Sequence, residues 1–431
     1  MNYYEKRNGG TYMKQKSILV GVNLNNQKDF TNSMEELFNL AEACDVEVVG
    51  EVTQKLSQVN KSHYIGKGKI GEVLVLLHEK NANMVIFNDE LSPSQIRNLE
   101  AALECRVIDR TILILDIFAQ RAKTREAQLQ VEVTKLQYML PRLTGLGKVL
   151  GRQGGGSGLN NRGTGETKIE LDRRKIENRI SGLNQELDTL VTQRQNQRKR
   201  RKKEEIPVIA LVGYTNAGKS TIMNSMIDLF NGSVDKQVFE KDMLFATLET
   251  SVRNIKLPDN KSFLLTDTVG FISKLPHQLV KAFRSTLEEV SEADLLIHVV
   301  DYSNPNYKDQ VEVTKDTLRE LGADNIPVIY AYNKSDLVDI EVSKEEEKKE
   351  ECVYISAKKK MGIDELISVI KQKVFTQYAN CEMLIPYGRE EIISYLYDNA
   401  NIKSTIYEGN GILISLQCKQ ADYERYEQYA K

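Results

Sequence analysis

From Gly213 to Thr221 the chain reads Gly213-Tyr214-Thr215-Asn216-Ala217-Gly218-Lys219-Ser220-Thr221, a glycine, four residues and then Gly-Lys-Ser, which is the spacing of a loop that wraps nucleotide phosphates. The residue types specify the chemistry. Glycines let the backbone approach phosphate oxygens, and successive amides and the start of a following helix supply partial positive charge. Lys219 is placed to reach the β- and γ-phosphates, and Ser220 to ligate magnesium. The flanks agree: Ile206 to Val212 has the length and β-branching of a buried strand, while Ile222, Met223, Met226 and Ile227 share one helical face.

Four further stretches extend this chemistry. Ser262 to Thr266 reads as a strand ending in Asp267-Thr268-Val269-Gly270, where Asp267 is expected to hold magnesium directly or through water and the Gly270 amide to meet the γ-phosphate. Asn333-Lys334-Ser335-Asp336 follows the apolar run Ile326 to Tyr332. The Asp336 carboxylate can accept from both N1–H and the 2-amino group of guanine; adenine offers a mismatched edge, so GTP is selected over ATP. Ser356-Ala357-Lys358, after Val353 to Ile355, completes the base pocket. Between the phosphate loop and Asp267 lies the candidate first switch, Phe245-Ala246-Thr247-Leu248-Glu249-Thr250, with Thr247 closing over magnesium and γ-phosphate and Thr250 as its alternative. Lys219, Thr247, Asp267 and Gly270 are the expected catalytic set, and Ser220 and Thr247 the metal ligands. Phe271 follows Gly270 where Ras-like enzymes carry a water-orienting glutamine. A phenyl ring cannot orient water by hydrogen bonding, so intrinsic hydrolysis is expected to be slow and dependent on a partner or a cation. Asn216 is compatible with a potassium ligand and equally with an asparagine that stabilises its loop. Mg2+ is the expected cofactor, with K+ a second candidate.

The elements that position these motifs can be read around them. Residues 1–16 are polar and expected as a flexible tail. Residues 17–110 alternate strand and helix patterns, including a helix from Ser33 with Ser33 and Glu36 at capping-box spacing and another opened by Ser92-Pro93, which predicts a small parallel α/β domain. In it, Tyr64-Ile65-Gly66-Lys67-Gly68-Lys69 reads as an anion site at a helix start or as a surface Gly-Lys turn. Residues 111–206 read as a long antiparallel helical hairpin: one helix from Thr111 to near Pro141, and a second with Ile176, Ile180, Leu183, Leu187 and Leu190 at heptad spacing. A glycine-rich tip, about 144–166, joins them. Residues 207–374 form the doubly wound, mostly parallel P-loop GTPase domain, and 375–431 a small α+β domain, so the fold class is α/β.

Charge is uneven although 59 basic and 61 acidic residues nearly cancel. Arg152, Arg162 and Lys168 lie in and beside the tip, and Arg194, Arg198, Lys199, Arg200, Arg201, Lys202 and Lys203 crowd the end of the second helix. Such a run is a solvated helix end or a reader of nucleic-acid backbone, and its pairing with a basic tip favours RNA. Without tryptophan, or aromatic residues in those runs, folded RNA fits better than a stacked single strand. The five cysteines, Cys44, Cys105, Cys352, Cys381 and Cys418, are far apart in sequence with no C-x-x-C pair, and read as ordinary thiols of a reducing compartment. The four histidines lack metal-ligand spacing. No run approaches the ~18 apolar residues that span a bilayer, so a cytoplasmic protein without membrane insertion is expected; a monomer that does not bind DNA is expected as well.

These motifs together resemble the HflX family of ribosome-associated GTPases. The likeness rests on Tyr64-Ile65-Gly66-Lys67-Gly68-Lys69, Gly163-Thr164-Gly165-Glu166-Thr167 with Asp172-Arg173-Arg174, the phosphate loop, Phe245-Ala246-Thr247-Leu248 and Asp267-Thr268-Val269-Gly270-Phe271. It spans about Ser17 to the end of the GTPase domain. Leu248-Glu249-Thr250-Ser251 departs from the Asp-Pro that often follows the switch threonine. The resemblance implies binding to the large ribosomal subunit, with the N-terminal domain and hairpin reaching towards the peptidyl transferase centre. It also implies ribosome splitting, rescue of stalled ribosomes or recycling under stress. A rival from another class is an RNA-binding ribosome-assembly factor whose GTP site is largely structural.

Overall fold

The computed structural model describes residues 4–6, 12–25, 29–143, 161–202, 206–230, 245, 251–275, 290–338 and 352–431. The chain divides into two compact units: Met1–Gln197 with Lys241–Glu249 and Ile272–Ser285, and Arg198–Glu240 with Thr250–Phe271 and Thr286–Lys431.

Strands β1 (Tyr4–Lys6) and β2 (Tyr12–Lys14) pair antiparallel, so the expected flexible tail contains a ribbon. Strand formers flank Asn8-Gly9-Gly10, a turn sequence. A four-stranded parallel sheet follows, in the order β4 (Glu47–Leu56), β3 (Lys16–Leu24), β5 (Met84–Phe87), β6 (Arg106–Asp109). Its core is built on Ile18, Val20, Val22, Val85 and Phe87, closed by Val73 and Leu77 of helix α2 (Lys67–Lys80) and Leu99 of α3 (Pro93–Leu103). The α3 start matches its sequence signal: Ser92 caps the Gln95 amide, the Gln95 side chain returns to the Ser92 amide, and Pro93 opens the helix. The expected capping box at Ser33 and Glu36 is not one. Helix α1 (Phe30–Ala43) starts three residues earlier, which puts Ser33 against Asn88 and Glu36 against Arg110.

The first long hairpin helix is two helices. α4 (Arg110–Arg121) is buried from Arg110 to Phe118, the chain turns at Ala122 with ψ 111°, and the Thr124 hydroxyl accepts the Ala127 amide to start α5 (Arg125–Leu143). The return helix α6 (Asn161–Lys202) begins inside the stretch expected as loop. Helix formers from Glu166 to Leu171 carry it back through Gly163 and Gly165, each costing ~1 kcal/mol against alanine. Leu129, Val133 and Leu136 of α5 meet Ile180, Leu183, Leu187 and Leu190 of α6, the seam its heptad spacing predicted. Exposed pairs Arg125–Glu186 and Arg179–Glu132 flank it.

The second unit holds a six-stranded sheet in the order β12 (Cys352–Tyr354), β11 (Val328–Asn333), β10 (Leu295–Asp301), β7 (Val208–Gly213), β9 (Ser262–Asp267), β8 (Ser251–Lys256). All neighbours are parallel except β8 and β9. The chain goes from β7 to β8 and β9 on one side and then crosses to β10 on the other, and such a topological switch point opens a crevice at the carboxyl ends of the strands. A three-stranded antiparallel sheet, β13 (Tyr378–Pro386), β15 (Gly411–Lys419) and β14 (Asn401–Glu408), packs with α8 (Glu390–Asn399) and α9 (Gln420–Tyr426) around Met383, Ile385, Leu396, Ile414 and Leu416. It clasps the β8–β9 turn: Lys261 donates to Gln417 at 2.9 Å, and the Asn260 amide group to the carbonyls of Tyr397 and Ala400.

Candidate nucleotide site

The phosphate loop leaves β7 at Gly213 and enters helix α7 (Lys219–Phe230). Gly213 has φ 143°, and a Cβ there would stand 2.2 Å from the Val299 carbonyl oxygen. Gly218, at φ 96°, would drive one to 2.2 Å from the Asn333 amide nitrogen. Neither position tolerates a side chain, so the glycines keep the cradle open. Asn216 also adopts the left-handed region, at φ 63°. The Lys219 ammonium turns back on the loop and donates to the carbonyls of Gly213 (3.1 Å) and Tyr214 (2.8 Å). Burial pushes it down to about 8, opposed by the nearby Asp267 charge.

Asp267 ends β9 fully buried and accepts from the Ser220 hydroxyl at 2.6 Å. A hydroxyl and a carboxylate held together beside a glycine cradle are hard oxygen donors of the kind magnesium takes, so this part of the metal set fits. Thr268 donates to the Leu211 carbonyl at 2.6 Å and fixes the turn. Gly270 is in tight contact: a Cβ would lie 2.7 Å from Thr215 Cα and 2.9 Å from Lys219 Nζ. Phe271 is bound by its backbone, donating to Gly213 at 3.1 Å and accepting from Thr215 at 2.8 Å, while its ring is buried. The residue after Gly270 thus ties the two phosphate motifs together through main chain and offers no polar group.

At the base end Asn333 is a staple. Its amide nitrogen donates to the Ala217 carbonyl at 2.8 Å and its amide oxygen accepts from the Ala357 N–H at 3.0 Å, joining the phosphate loop, Asn333-Lys334-Ser335-Asp336 and Ser356-Ala357-Lys358. Lys334, with φ 62°, pairs with Asp301 at 2.7 Å. The Asp336 carboxyl is held below the usual carboxylate range by a hydrogen bond with Ser356 and by Lys359, 3.0 Å away. It is a carboxylate ready to accept. Lys358 is exposed, and its neighbour Lys359, which the sequence reading did not single out, supplies the ion pair to Asp336. Asp301, an acid at the carboxyl end of β10, was a signal available and unread.

Residues 31–119 match the family described as GTP-binding GTPase N-terminal, 121–201 the GTP-binding GTPase middle region, and 208–334 the 50S ribosome-binding GTPase. The GTPase HflX of Caldanaerobacter subterraneus subsp. tengcongensis is 45% identical over 404 residues, covering 94% of this chain and 91% of that relative. The chain belongs to the HflX family of GTPases. The Escherichia coli HflX is 38% identical over 408 residues, 94% of this chain and 93% of its own. A GTP-binding protein from Sulfolobus solfataricus, crystallised with GDP, is 24% identical over 84% of this chain and 99% of that one, at a TM-score of 0.43. As an HflX GTPase the chain is a GTP-hydrolysing enzyme, and among its described residues no helix is long and apolar enough to cross a membrane.

Of the predicted switch only Phe245 is described; Ala246, Thr247, Leu248, Glu249 and the alternative Thr250 lie outside the described residues. Phe245 is buried in the first unit, edge-on to Phe118 with centroids 4.6 Å apart. Also in that unit, Lys274 pairs with Asp89 at 2.5 Å, and the other Asp89 oxygen accepts from the Tyr64 hydroxyl at 2.6 Å. The Tyr64 to Lys69 stretch leads into the start of α2. The Gly66 amide already donates to Gln54, and Lys69 pairs with Glu72. Of the RNA candidates, Arg162, Lys168, Arg194, Arg198, Lys199, Arg200, Arg201 and Lys202 fall on α6. Arg152, Lys203 and the tip from 144 to 160 lie outside the described residues.

Proposed function

We propose that this HflX GTPase is a nucleotide-controlled switch on the large ribosomal subunit, contacting rRNA near the peptidyl transferase centre and serving to split, rescue or recycle ribosomes under stress. The observation that carries the proposal is the match of residues 208–334, which include the phosphate loop, Asp267 to Gly270 and Asn333, to the 50S ribosome-binding GTPase family. The basic run on α6 supports RNA contact, because a cluster of cations on one helix end neutralises phosphates. In this reading the loop amides from Tyr214 to Thr221 and the Lys219 ammonium hold the phosphates, Asp336 reads guanine, and Thr247 closes the site. Ser220 and Thr247 would hold magnesium, with Asp267 behind Ser220; magnesium supplies positive charge to the oxygens of the transferred phosphoryl group. Phe271 gives the attacking water no hydrogen bond, so turnover is slow until the ribosome orders the switches or a potassium ion beside Asn216 adds charge. The protein acts as a cytoplasmic monomer, partly ribosome-associated.

Co-sedimentation with separated ribosomal subunits in GDP, GTP and a non-hydrolysable GTP analogue tests this. Large-subunit binding is expected with GTP and the analogue and to weaken with GDP. Equal binding in all three states would favour an assembly factor with a structural GTP site, and no binding to the large subunit would overturn the proposal.

A further inference from the structure

Cysteines 37 positions apart in sequence meet in the C-terminal sheet. Strands β13 and β15 pair with Cys381 opposite Leu416 and Ala379 opposite Cys418, so the two thiols sit on one diagonal of the same sheet face, with Sγ atoms 3.9 Å apart. Cys418 is fully buried against Ile414, Leu416 and Tyr426, and Cys381 is partly exposed at the edge of that cluster. This contact was invisible in sequence, where both read as isolated thiols.

We propose that Cys381 and Cys418 form a redox-active dithiol that reacts with small-molecule disulfides and closes to a reversible disulfide joining β13 to β15. The step balances. The Cys381 thiol loses its proton and attacks one sulfur of the incoming disulfide, forming a mixed disulfide and releasing one small thiol. Cys418 then loses its proton and attacks the Cys381 sulfur, displacing the second small thiol. Two protein thiols are oxidised, one disulfide is reduced to two thiols, and both protons leave with them. The order follows from access and acidity. Burial raises both thiols, Cys418 to about 12, with Asp422 and Cys381 adding to the effect there; Cys381 is more open, and its contact with Cys418 partly offsets its own rise. Closing from 3.9 Å to the ~2.05 Å of a disulfide brings two sulfurs already in contact to bonding distance.

The test uses the full chain, purified reduced and equilibrated with glutathione buffers of rising oxidised fraction, then quenched with N-ethylmaleimide and digested with trypsin without reductant. The expected product is the peptide of residues 374–389 joined to that of 404–419, lost on return to reducing buffer. A tenfold rise in the ratio of oxidised glutathione to the square of reduced glutathione should raise the linked-to-reduced ratio about tenfold. Cys418→Ser should accumulate a single glutathione on Cys381. Should that variant fail to fold, the wild-type titration still decides. Mixed disulfide on wild-type Cys381 that never converts, or linked peptides that form only in denaturant, would overturn the proposal.

Discussion

A parallel sheet in the first unit and a mostly parallel one in the second have had their carboxyl edges put to opposite uses. In the second unit the edge is kept open by backbone: glycines at 213, 218 and 270 admit no Cβ, and polar groups there meet in pairs, Ser220 with Asp267 and the Asn333 amide with the Ala217 carbonyl, that frame a space. In the first unit the corresponding edge is filled by its own side chains. Arg110, almost wholly buried, is clamped by Glu36, Asn88 and the Ser33 carbonyl. Asp109, fully buried, accepts from the amides of Leu91 and Ile112 and from the Tyr138 hydroxyl, with Arg142 3.7 Å away. Burial pushes its carboxyl up against the pull of those donors. Tyr138 and Arg142 belong to α5, so this edge is the joint that seats the helical hairpin. Architecture alone does not make a ligand site; what occupies the switch point decides.

The contrast is broken most sharply at Arg110. Arg110→Ala leaves the Glu36 carboxylate without its buried partner and should cost about 3–5 kcal/mol of folding stability, seen as an earlier thermal or denaturant transition. If the variant unfolds where the wild type does, the filled edge is not holding the unit together. Lys219→Ala, the matching removal of a cation from the open edge, should instead spare folding and lose about 3 kcal/mol of nucleotide affinity, over a hundredfold. The wild type carries a pH signature of the same charge. With the Lys219 ammonium pushed down to about 8 in the folded protein, GTP affinity should fall by up to about tenfold per pH unit above that value, as the neutral amine must be reprotonated on binding. Its effect on stability has the opposite sign, since a lysine depressed on folding penalises the native state below pH 8 and releases that penalty as pH rises towards the unfolded value. A pH-independent affinity between 7 and 9.5 by calorimetry would show that the buried ammonium is not what meets the phosphates.

The base end separates shape from charge. Asp336→Asn leaves the Asn333 staple intact but replaces one acceptor by a donor, so guanine preference should drop on the order of a hundredfold or more and xanthine nucleotides should gain. Competition binding with GTP and XTP reads this directly, and unchanged GTP affinity would remove Asp336 from the base pocket.

How much of this was legible beforehand depended on how local the cause is. The phosphate loop, the Asp267 and Asn333 motifs, the heptad spacing of α6 and the Ser92 cap are each written in residues within a few turns of one another. The failures are long-range. Ser33 and Glu36 have cap spacing, yet Asn88 and Arg110, more than fifty residues away, claim their side chains. Asp336 takes Lys359 as an ion-pair partner, and Cys381 meets Cys418 through strand register. The break at Ala122 was hidden because the apolar spacing runs on through it, while burial changes from the all-round burial of α4 to the one-sided seam of α5.

Phe271 gives the smallest expected effect and the finest test of the comparison, because it lies at the open edge yet behaves like the filled one. Its amide and carbonyl are committed to Gly213 and Thr215, and its ring is in the core. Main-chain bonds survive a change of side chain, and Phe271→Leu keeps an apolar group of adequate size, so the cost in stability should stay below ~1.5 kcal/mol. Basal GTP hydrolysis should stay within about twofold of wild type, since no hydrogen bond to water is removed. Alanine is the wrong probe, because the cavity it leaves would loosen the phosphate loop and confuse packing with catalysis. Single-turnover hydrolysis of the leucine variant, with nucleotide affinity measured alongside, separates the two. If turnover vanished while affinity and melting stayed as in wild type, the ring would be part of the hydrolytic machinery, and slow turnover could no longer be attributed to its lack of a polar group.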